Sequence, residues 1–364
     1  MDFRLPRELL ALQREARAVA GEAAAPLAVR EDSWVCGFSK EFSRELGERG
    51  WLGMTLPVAV GGHGRTALER FVVTEALIEA GAPLGASWMG DRQIGPTLVR
   101  YGTPEQVERF VPGIVAGRDT WCIGMSEPDA GSDLASVRTR AVLEAGEWVV
   151  DGAKVWTSGA VDGDFLYVVA RTDPDAPPHR GLSEIIVPLD TPGVTVRPIV
   201  DMTGARHFCE VLLESVRVPA GNLVGEPNGS WRQVMRQLEH ERGGIDRLVS
   251  NAALYRDALE RADTRDPVVR QRVADIHTRL VTGRFLVIRE MIGQAPPGSS
   301  AVTKVFCTAL EQEIAQFVAS LSPDALLAGR RARAVCYAPA YTIQGGTSEI
   351  LHNVIAERVL GLPR

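Results

Sequence analysis

Glu241 is the residue of this chain whose neighbours best suit acid–base chemistry. Apolar residues at steps of three and four predict a helix over 231–252 with one buried face, and Glu241 falls on that face between Leu238 and Ile245. A carboxylate among apolar neighbours is costly unless it is paired or used, and such surroundings raise its pKa toward the range of a general base. The alternative interpretation is a buried ion pair of Glu241 with Arg242 or another arginine, which would hold the helix in place.

Composition and missing motifs argue against several other kinds of chemistry. The net charge is -6 with no clustered basic stripe, which argues against a nucleic-acid partner. The sequence has no P-loop, no GxGxxG opening a helix and no metal-ligand spacing among its histidines, so no metal site is predicted. The residues around Ser126 fail the GxSxG pattern of a nucleophilic serine at its last position. Flavin chemistry stays open, because a flavin can be held without a short universal motif.

Cysteine usage and hydropathy predict a cytoplasmic protein that does not enter a membrane. The cysteines are odd in number and scattered without a CxxC pair, which is typical of reduced thiols and not of a disulfide framework. The first residues carry charges throughout, and no later stretch reaches about 18 uninterrupted apolar residues.

The order of the secondary-structure patterns predicts an α+β fold in three parts. Helical periodicity dominates residues 1–120, where Thr103-Pro104-Glu105-Gln106 has the form of a capping box. Short β-rich runs between Gly, Pro and Asp turns fill residues 121–228, and no crossover helices separate them, so we expect an antiparallel sheet. Helical periodicity returns over 229–364. The prediction is an N-terminal α-helical domain, a middle β domain and a C-terminal helical bundle.

Four segments in this order resemble the acyl-CoA dehydrogenase family. Residues 121–133, WCIGMSEPDAGSD, are similar to its flavin-contact signature, and 154–159, KVWTSG, to its second flavin strand. Residues 216–225 resemble the end of its β domain. Residues 346–358 resemble its C-terminal flavin loop and last helix. Each segment alone is a weak signal, but together they span nearly the whole chain in register.

The resemblance implies a bound FAD and an α,β-dehydrogenation of an acyl thioester. It places the hydroxyl of Ser158 against flavin N5, the atom that accepts the hydride. The glycine-rich turn with Ser132 can present N–H groups to a pyrophosphate, and Trp156 offers an aromatic face to the flavin ring. The competing interpretation of both serines is that they are ordinary turn residues. The implied flavin contacts are Met125, Ser126, Gly131, Ser132, Trp156, Ser158, Thr347 and Glu349.

The chain departs from most of the family at the base that removes the α-proton. Most members carry it as a glutamate just before the Gly-Thr of the C-terminal loop, and here that position is Gly345. A minority branch, which includes isovaleryl- and long-chain acyl-CoA dehydrogenases, carries its base on an earlier helix just before an arginine. Glu241 and Arg242 match that pair, whereas Glu239 lies off the apolar face. The resemblance leaves Gly345 a role through its N–H, which would polarise the thioester carbonyl.

A second departure predicts a partner subunit. Between Ile245 and Ala301 the chain lacks the Arg-x-x-Phe-Gly segment of the family, and it also lacks the Gln-x-x-Gly-Gly stretch before the last loop. In the family both meet the adenosine half of a flavin bound mainly by a neighbouring subunit. The resemblance therefore points to heteromeric actinobacterial acyl-CoA dehydrogenases, some of which act on steroid side chains, and to a second, related subunit that completes the flavin pocket.

Several alternatives stay open from the sequence. The chain could be a non-catalytic subunit of a heteromeric dehydrogenase, or a flavin oxidase or oxygenase of the same fold. The substrate could be an acyl-CoA or an acyl thioester on a carrier protein, and the acyl chain is not identified. An electron-transferring flavoprotein is the acceptor that the resemblance implies.

Overall fold

The computed structural model describes residues 4–28, 31–321 and 329–363, without the side chain of His240. The ends of the predicted 1–120 and 229–364 parts therefore lie outside the described residues. The chain forms two compact units, one of 1–37, 66–83 and 238–364 and one of 38–65 and 84–237. We call the first the helical unit and the second the β unit. Helix, sheet and helix follow one another along the chain, which confirms the predicted α+β fold.

The helical unit holds most of the long helices. The helix over Ser299–Ser320 is buried along most of its length, and Lys304, Leu310 and Glu311 are fully buried. The helix before it, Pro267–Met291, ends before Pro296-Pro297-Gly298, as the sequence predicts. The helices are α1 (Arg7–Ala24), α3 (Ala67–Ala80), α8 (Asp246–Val249), α9 (Ala252–Leu259), α10 (Pro267–Met291), α11 (Ser299–Ser320), α12 (Arg330–Tyr341) and α13 (Ser348–Val354). None of the described helices is long and apolar enough to cross a membrane.

The β unit is one sheet with short helices. The helices are α2 (Lys40–Glu48), α4 (Gly85–Met89), α5 (Gly95–Tyr101), α6 (Pro104–Val115) and α7 (Trp231–Arg242), and the division between the units falls within α7 after Gln237. The capping box predicted at Thr103 is present at the start of α6. The strands are β1 (Trp121–Gly124), β2 (Arg140–Glu144), β3 (Glu147–Ser158), β4 (Phe165–Arg171), β5 (Leu182–Pro188), β6 (Val194–Ile199), β7 (Phe208–Pro219) and β8 (Leu223–Val224).

The sheet is mainly antiparallel, in the order β6-β7-β3-β2-β4-β5-β8, with β1 paired to β4. The pairings of β1 with β4 and of β2 with β4 are parallel, with Trp121 opposite Phe165 and Arg140 opposite Arg171, and they depart from the purely antiparallel sheet expected from the sequence. The reason is that β2 and β3 form a hairpin and the chain then reverses again, so β4 runs in the direction of β1 and β2 without a crossover helix. A core of alternating apolar residues from β3, β4, β5 and β7 fills the interior, including Val150, Val168 and Val211.

Candidate active site

A bulge in β3 turns Trp156 outward. The register of β3 against β7 shifts between Lys154 and Thr157, and Trp156 has a left-handed φ of 62°. An extra residue in one strand re-aims its side chain, and a left-handed tryptophan is strained, so the surrounding sheet must hold it there. The indole is 57% exposed and packs edge-to-face on Phe208 with ring centroids 5.8 Å apart. The β unit therefore presents a rigid, open aromatic face beside Ser158, the last residue of the strand.

The segment that follows β1 is bonded to the same stretch of β3. Val155 N–H donates to the carbonyl of Ser126 at 2.9 Å, and Lys154 Nζ donates to the carbonyl of Met125 at 3.1 Å. The structure thus brings together two segments that the sequence analysis singled out separately, so that Met125, Ser126, Trp156 and Ser158 lie on neighbouring stretches of backbone.

Lys154 is buried and forms an ion pair that closes the next loop. Its Nζ lies 2.7 Å from Glu127 Oε1, and the Glu127 carboxylate also accepts the N–H groups of Arg138 and Thr139. Burial lowers the pKa of Lys154 to about 8, although Glu127 acts in the opposite direction. Glu127 ties both ends of the loop that holds Gly131 and Ser132, so the shape of that loop depends on this pair.

The helix predicted over 231–252 is wrong beyond Arg242. Helix α7 ends at Arg242, Gly243 and Gly244 interrupt the helical conformation, and α8 starts only at Asp246. Two consecutive glycines carry the highest backbone entropy cost of helix formation, so the apolar periodicity does not extend the helix through them. Glu241 therefore lies in the last turn of α7 and not in the middle of a long helix.

Glu241 is also not the lone carboxylate among apolar residues that the pattern suggested. Its Oε1 lies 2.6 Å from Nη2 of Arg247, whose side chain is 2% exposed, while the Glu241 side chain is 21% exposed. Nε of Arg247 also lies 3.3 Å from Oδ2 of Asp246, and the guanidinium carbon lies over the Trp34 ring, 5.2 Å from the ring centroid. The arginine contact is the one that the alternative, structural interpretation required, although it comes from Arg247 and not from Arg242.

Gly345 is the residue whose missing side chain makes room for Glu241. A Cβ at Gly345 would lie 2.8 Å from Glu241 Oε1 and 3.0 Å from Arg247 Nη2, and the backbone there is left-handed with φ 70°. Real Cβ atoms essentially never approach another atom as closely as 2.8 Å, so any other residue here must displace the Glu241 carboxylate, and the tight 3.0 Å contact requires the arginine to give as well. Glu241 and Gly345, separated by about a hundred residues of chain, share one location in the helical unit.

The carbonyls of this loop are held by two buried cations. Arg242 Nε donates to the carbonyl of Gly345 at 3.0 Å, and Lys304 Nζ donates to that of Gly346 at 2.9 Å. Just beyond, the Thr347 hydroxyl caps α13 by accepting the N–H of Ile350 at 3.2 Å, and Glu349 lies in the first turn of that helix. Glu241, Arg242, Gly345 and the Thr347–Glu349 segment thus form one region of the helical unit.

The sequence matches the three domain models of one enzyme family along almost its full length. These are the acyl-CoA dehydrogenase N-terminal domain over residues 6–118, the middle domain over 122–216 and the C-terminal domain over 228–360. The acyl-CoA dehydrogenase IpdE1 of Mycobacterium tuberculosis is 37% identical over 341 residues, which is 89% of this chain and 88% of that protein. The chain belongs to the acyl-CoA dehydrogenase family. It is accordingly an oxidoreductase of a family of flavoproteins.

Two solved structures share the fold of this chain over its full length. A chain of the Tcur3481-Tcur3483 steroid ACAD superposes with a TM-score of 0.90 at 34% identity, with all of both chains covered. A chain of the ChsE4-ChsE5 complex from Mycobacterium tuberculosis does so with a TM-score of 0.87 at 32% identity, again over all of both chains.

Three residues of these sites were not found by the sequence analysis, namely Lys154, Arg247 and Lys304. Lys154 stands two residues before Trp156 within a segment already recognised, so its position in that motif was an available signal. Arg247 lies six residues after Glu241, but the glycine break places it where helical periodicity could not. Lys304 is a lone lysine on the buried face of α11, a pattern analogous to the one that drew attention to Glu241.

Proposed function

We propose that this chain catalyses the FAD-dependent α,β-dehydrogenation of an acyl thioester, with Glu241 as the base that removes the α-proton. The observation that carries the proposal is the short distance from the Cβ position of Gly345 to Glu241 Oε1, 2.8 Å. Most family members carry the base at the position of Gly345, as the resemblance implies. Here the carboxylate comes from α7 and occupies the space next to that position, while the residue that would compete for it is glycine.

Four residues of the chain have separate roles in the proposed reaction. Glu241 takes the α-proton onto its carboxylate as the α C–H bond breaks, and the electrons of that bond form the new C=C bond. When bound, the flavin supplies the acceptor for the hydride that leaves the β-carbon. Arg247 restrains Glu241 through the 2.6 Å contact, and Arg242 restrains the loop carbonyl of Gly345. The N–H of Gly345 polarises the thioester carbonyl, which makes the α-proton more acidic.

The β unit fits a flavin in two respects. The open face of Trp156 suits the flat flavin ring, with Ser158 two residues away. The backbone N–H groups of Gly131, Ser132 and Asp133 bond to no backbone acceptor in the part of the chain that the structure describes, and donors of this kind suit a pyrophosphate. We propose Met125, Ser126, Gly131, Ser132, Trp156 and Ser158 as the flavin contacts of this unit. Thr347 and Glu349 are the proposed contacts of the C-terminal loop.

We further propose a second, related subunit as partner. The chain lacks both segments with which the family meets the adenosine half of the flavin, and two of its structural relatives are the ChsE4-ChsE5 complex and the Tcur3481-Tcur3483 steroid ACAD. The likeness to the steroid ACAD also favours an acyl-CoA with a steroid-derived acyl chain over a carrier-bound thioester. The proposed electron acceptor is an electron-transferring flavoprotein. The proposed domains are 1–120, 121–228 and 229–364, and the proposed location is the cytoplasm.

Flavin reduction by an acyl-CoA tests the proposed base. The chain is co-expressed with a related dehydrogenase subunit, and bleaching of the flavin is followed without oxygen for the wild type, Glu241→Gln and Glu239→Gln. Glu239 is an exposed glutamate two residues away on the same helix, so its variant is a matched control. We expect Glu241→Gln to keep the flavin but lose at least about 10³-fold in bleaching rate, and Glu239→Gln to match the wild type. Near-full bleaching by Glu241→Gln would assign Glu241 the structural role suggested by its pair with Arg247.

A further inference from the structure

The loop beside Glu241 contains two consecutive left-handed glycines whose carbonyls are both held from outside the loop. Gly345 has φ 70° and Gly346 has φ 99°. The carbonyl of Gly345 accepts from Arg242 and that of Gly346 accepts from Lys304 Nζ at 2.9 Å. Glycine is the residue with the widest conformational freedom, so an unrestrained pair would sample many loop geometries. The two cations remove that freedom.

Holding a carbonyl also aims the next N–H. The peptide group is planar and trans, so its C=O and N–H point in opposite directions. The contact with Gly345 therefore sets the direction of the Gly346 N–H, and the contact with Gly346 sets that of the Thr347 N–H. Two fixed peptide planes in succession set φ and ψ of Gly346, the residue between them. They therefore anchor the C-terminal side of Gly345, the residue whose N–H is offered to a substrate.

Lys304 is buried at a cost that the packing of α11 does not explain. Its side chain is fully buried, and none of the ion pairs among the described residues includes it. Burial, together with the charges of Arg247 and Arg242, lowers its pKa to about 7, although Glu241 and Glu349 act in the opposite direction. An ammonium group without a carboxylate partner in such a place is destabilising unless it has a use.

We propose that Lys304 is a positioning residue for the dehydrogenation, which together with Arg242 fixes the backbone at Gly346 and so anchors Gly345, whose N–H polarises the thioester carbonyl. This inference rests on the proposed function, because it assumes that the thioester binds beside Glu241. Lys304 touches neither base nor substrate. It acts through the loop, on the polarisation of the substrate and on the open space at Gly345.

The test compares Lys304→Met, Lys304→Gln and the wild type in the flavin-loaded complex. Methionine removes the donor at similar length, whereas glutamine keeps a neutral donor. We expect Lys304→Met to retain its flavin and its KM but to lose about 10- to 100-fold in kcat, with Lys304→Gln recovering part of the loss. The infrared stretching frequency of the thioester carbonyl of a bound, isotope-labelled enoyl-CoA product should rise toward its solution value in Lys304→Met.

The outcomes separate this inference from the proposed function. If wild type is active and both variants equal it in kcat and in carbonyl frequency, Lys304 positions nothing and the proposal is wrong. If both variants fail to fold or lose their flavin, Lys304 has a structural role and the proposal is equally wrong. If the wild-type complex is not bleached by any acyl-CoA, the proposed function itself fails.

Discussion

Two buried lysines, one in each unit, hold the backbone of a functional segment in different electrostatic settings. Lys154 in the β unit donates to the carbonyl of Met125 and also pairs with Glu127 at 2.7 Å. Lys304 in the helical unit donates to the carbonyl of Gly346 but has no ion pair among the described residues. Burial lowers the pKa of both, to about 8 for Lys154 and to about 7 for Lys304.

The difference shows what each region is built to do. In the β unit the charge of Lys154 is compensated locally, which suits a rigid support for the predicted flavin segment. In the helical unit Arg247 pairs with both Glu241 and Asp246, whereas Arg242 and Lys304 form no ion pair among the described residues and donate to the loop carbonyls beside Glu241, which leaves a local surplus of positive charge at the loop. Negative charge develops on the thioester oxygen when an α-proton leaves, and fixed cations close to it lower the barrier. The surplus is therefore expected next to the base and not in the flavin support.

Breaking the compensated pair has the largest expected effect on stability. Lys154→Met leaves Glu127 as a buried carboxylate without its cation, which costs about 3–5 kcal/mol in the free energy of unfolding. Arg217→Met is the control, because Arg217 pairs with Glu144 where both side chains are about half exposed and such a pair contributes about 0–1 kcal/mol. Urea denaturation measures both, and flavin content should fall only in Lys154→Met. Equal stabilities would mean that the pair does not support the loop.

Filling the space at Gly345 is expected to act on rate more than on stability. Gly345→Ala places a Cβ within 2.8 Å of Glu241 Oε1, so the base must move, and we expect a loss of about 10- to 100-fold in kcat. Gly361→Ala is the matched control. Gly361 has a similar φ of 65° but an added Cβ there meets nothing within 4 Å, so it carries the backbone strain without the clash. Similar kcat values for the two variants would show that the space at Gly345 is not needed.

The smallest effect concerns a buried acid of the β unit that forms no ion pair with any residue in the described part of the chain. Glu184 accepts hydrogen bonds from Gln233 and Gln237, and burial raises its pKa to about 7 from 4.5. The folded state thus keeps a proton that the unfolded chain releases, so its contribution is full below pH 4.5 and is lost as the pH rises through 7. The thermal midpoint of Glu184→Gln relative to that of the wild type should therefore rise by about 2–4 °C when the pH is raised from 5 to 8. A constant difference across that range would contradict the linkage.

The sequence was informative where neighbours along the chain decide the structure. Local pattern alone predicts the capping box at Thr103 and the β-rich runs. Local pattern also underlies the resemblance of the segments around Ser126 and Trp156 to the family's flavin-contact motifs. The break at Gly243 shows the limit of that method, because apolar spacing continued through two glycines that end the helix. Arg247 was missed because the glycine break removes it from the helical periodicity. Lys304 does fall on the buried face of α11, but its role comes from the contact with Gly346, far along the chain, and periodicity does not reveal such a contact.

Exchange of the α-hydrogen shows whether Glu241 is the base without depending on hydride transfer. The flavin-loaded complex is incubated in D₂O with an acyl-CoA analogue that cannot lose a β-hydride, and deuterium at the α-carbon is followed by mass spectrometry. We expect exchange by the wild type and Glu239→Gln, and a loss of at least about 10³-fold in the exchange rate of Glu241→Gln. Exchange by Glu241→Gln at the wild-type rate would contradict this expectation and would place the base on another residue or on the partner subunit.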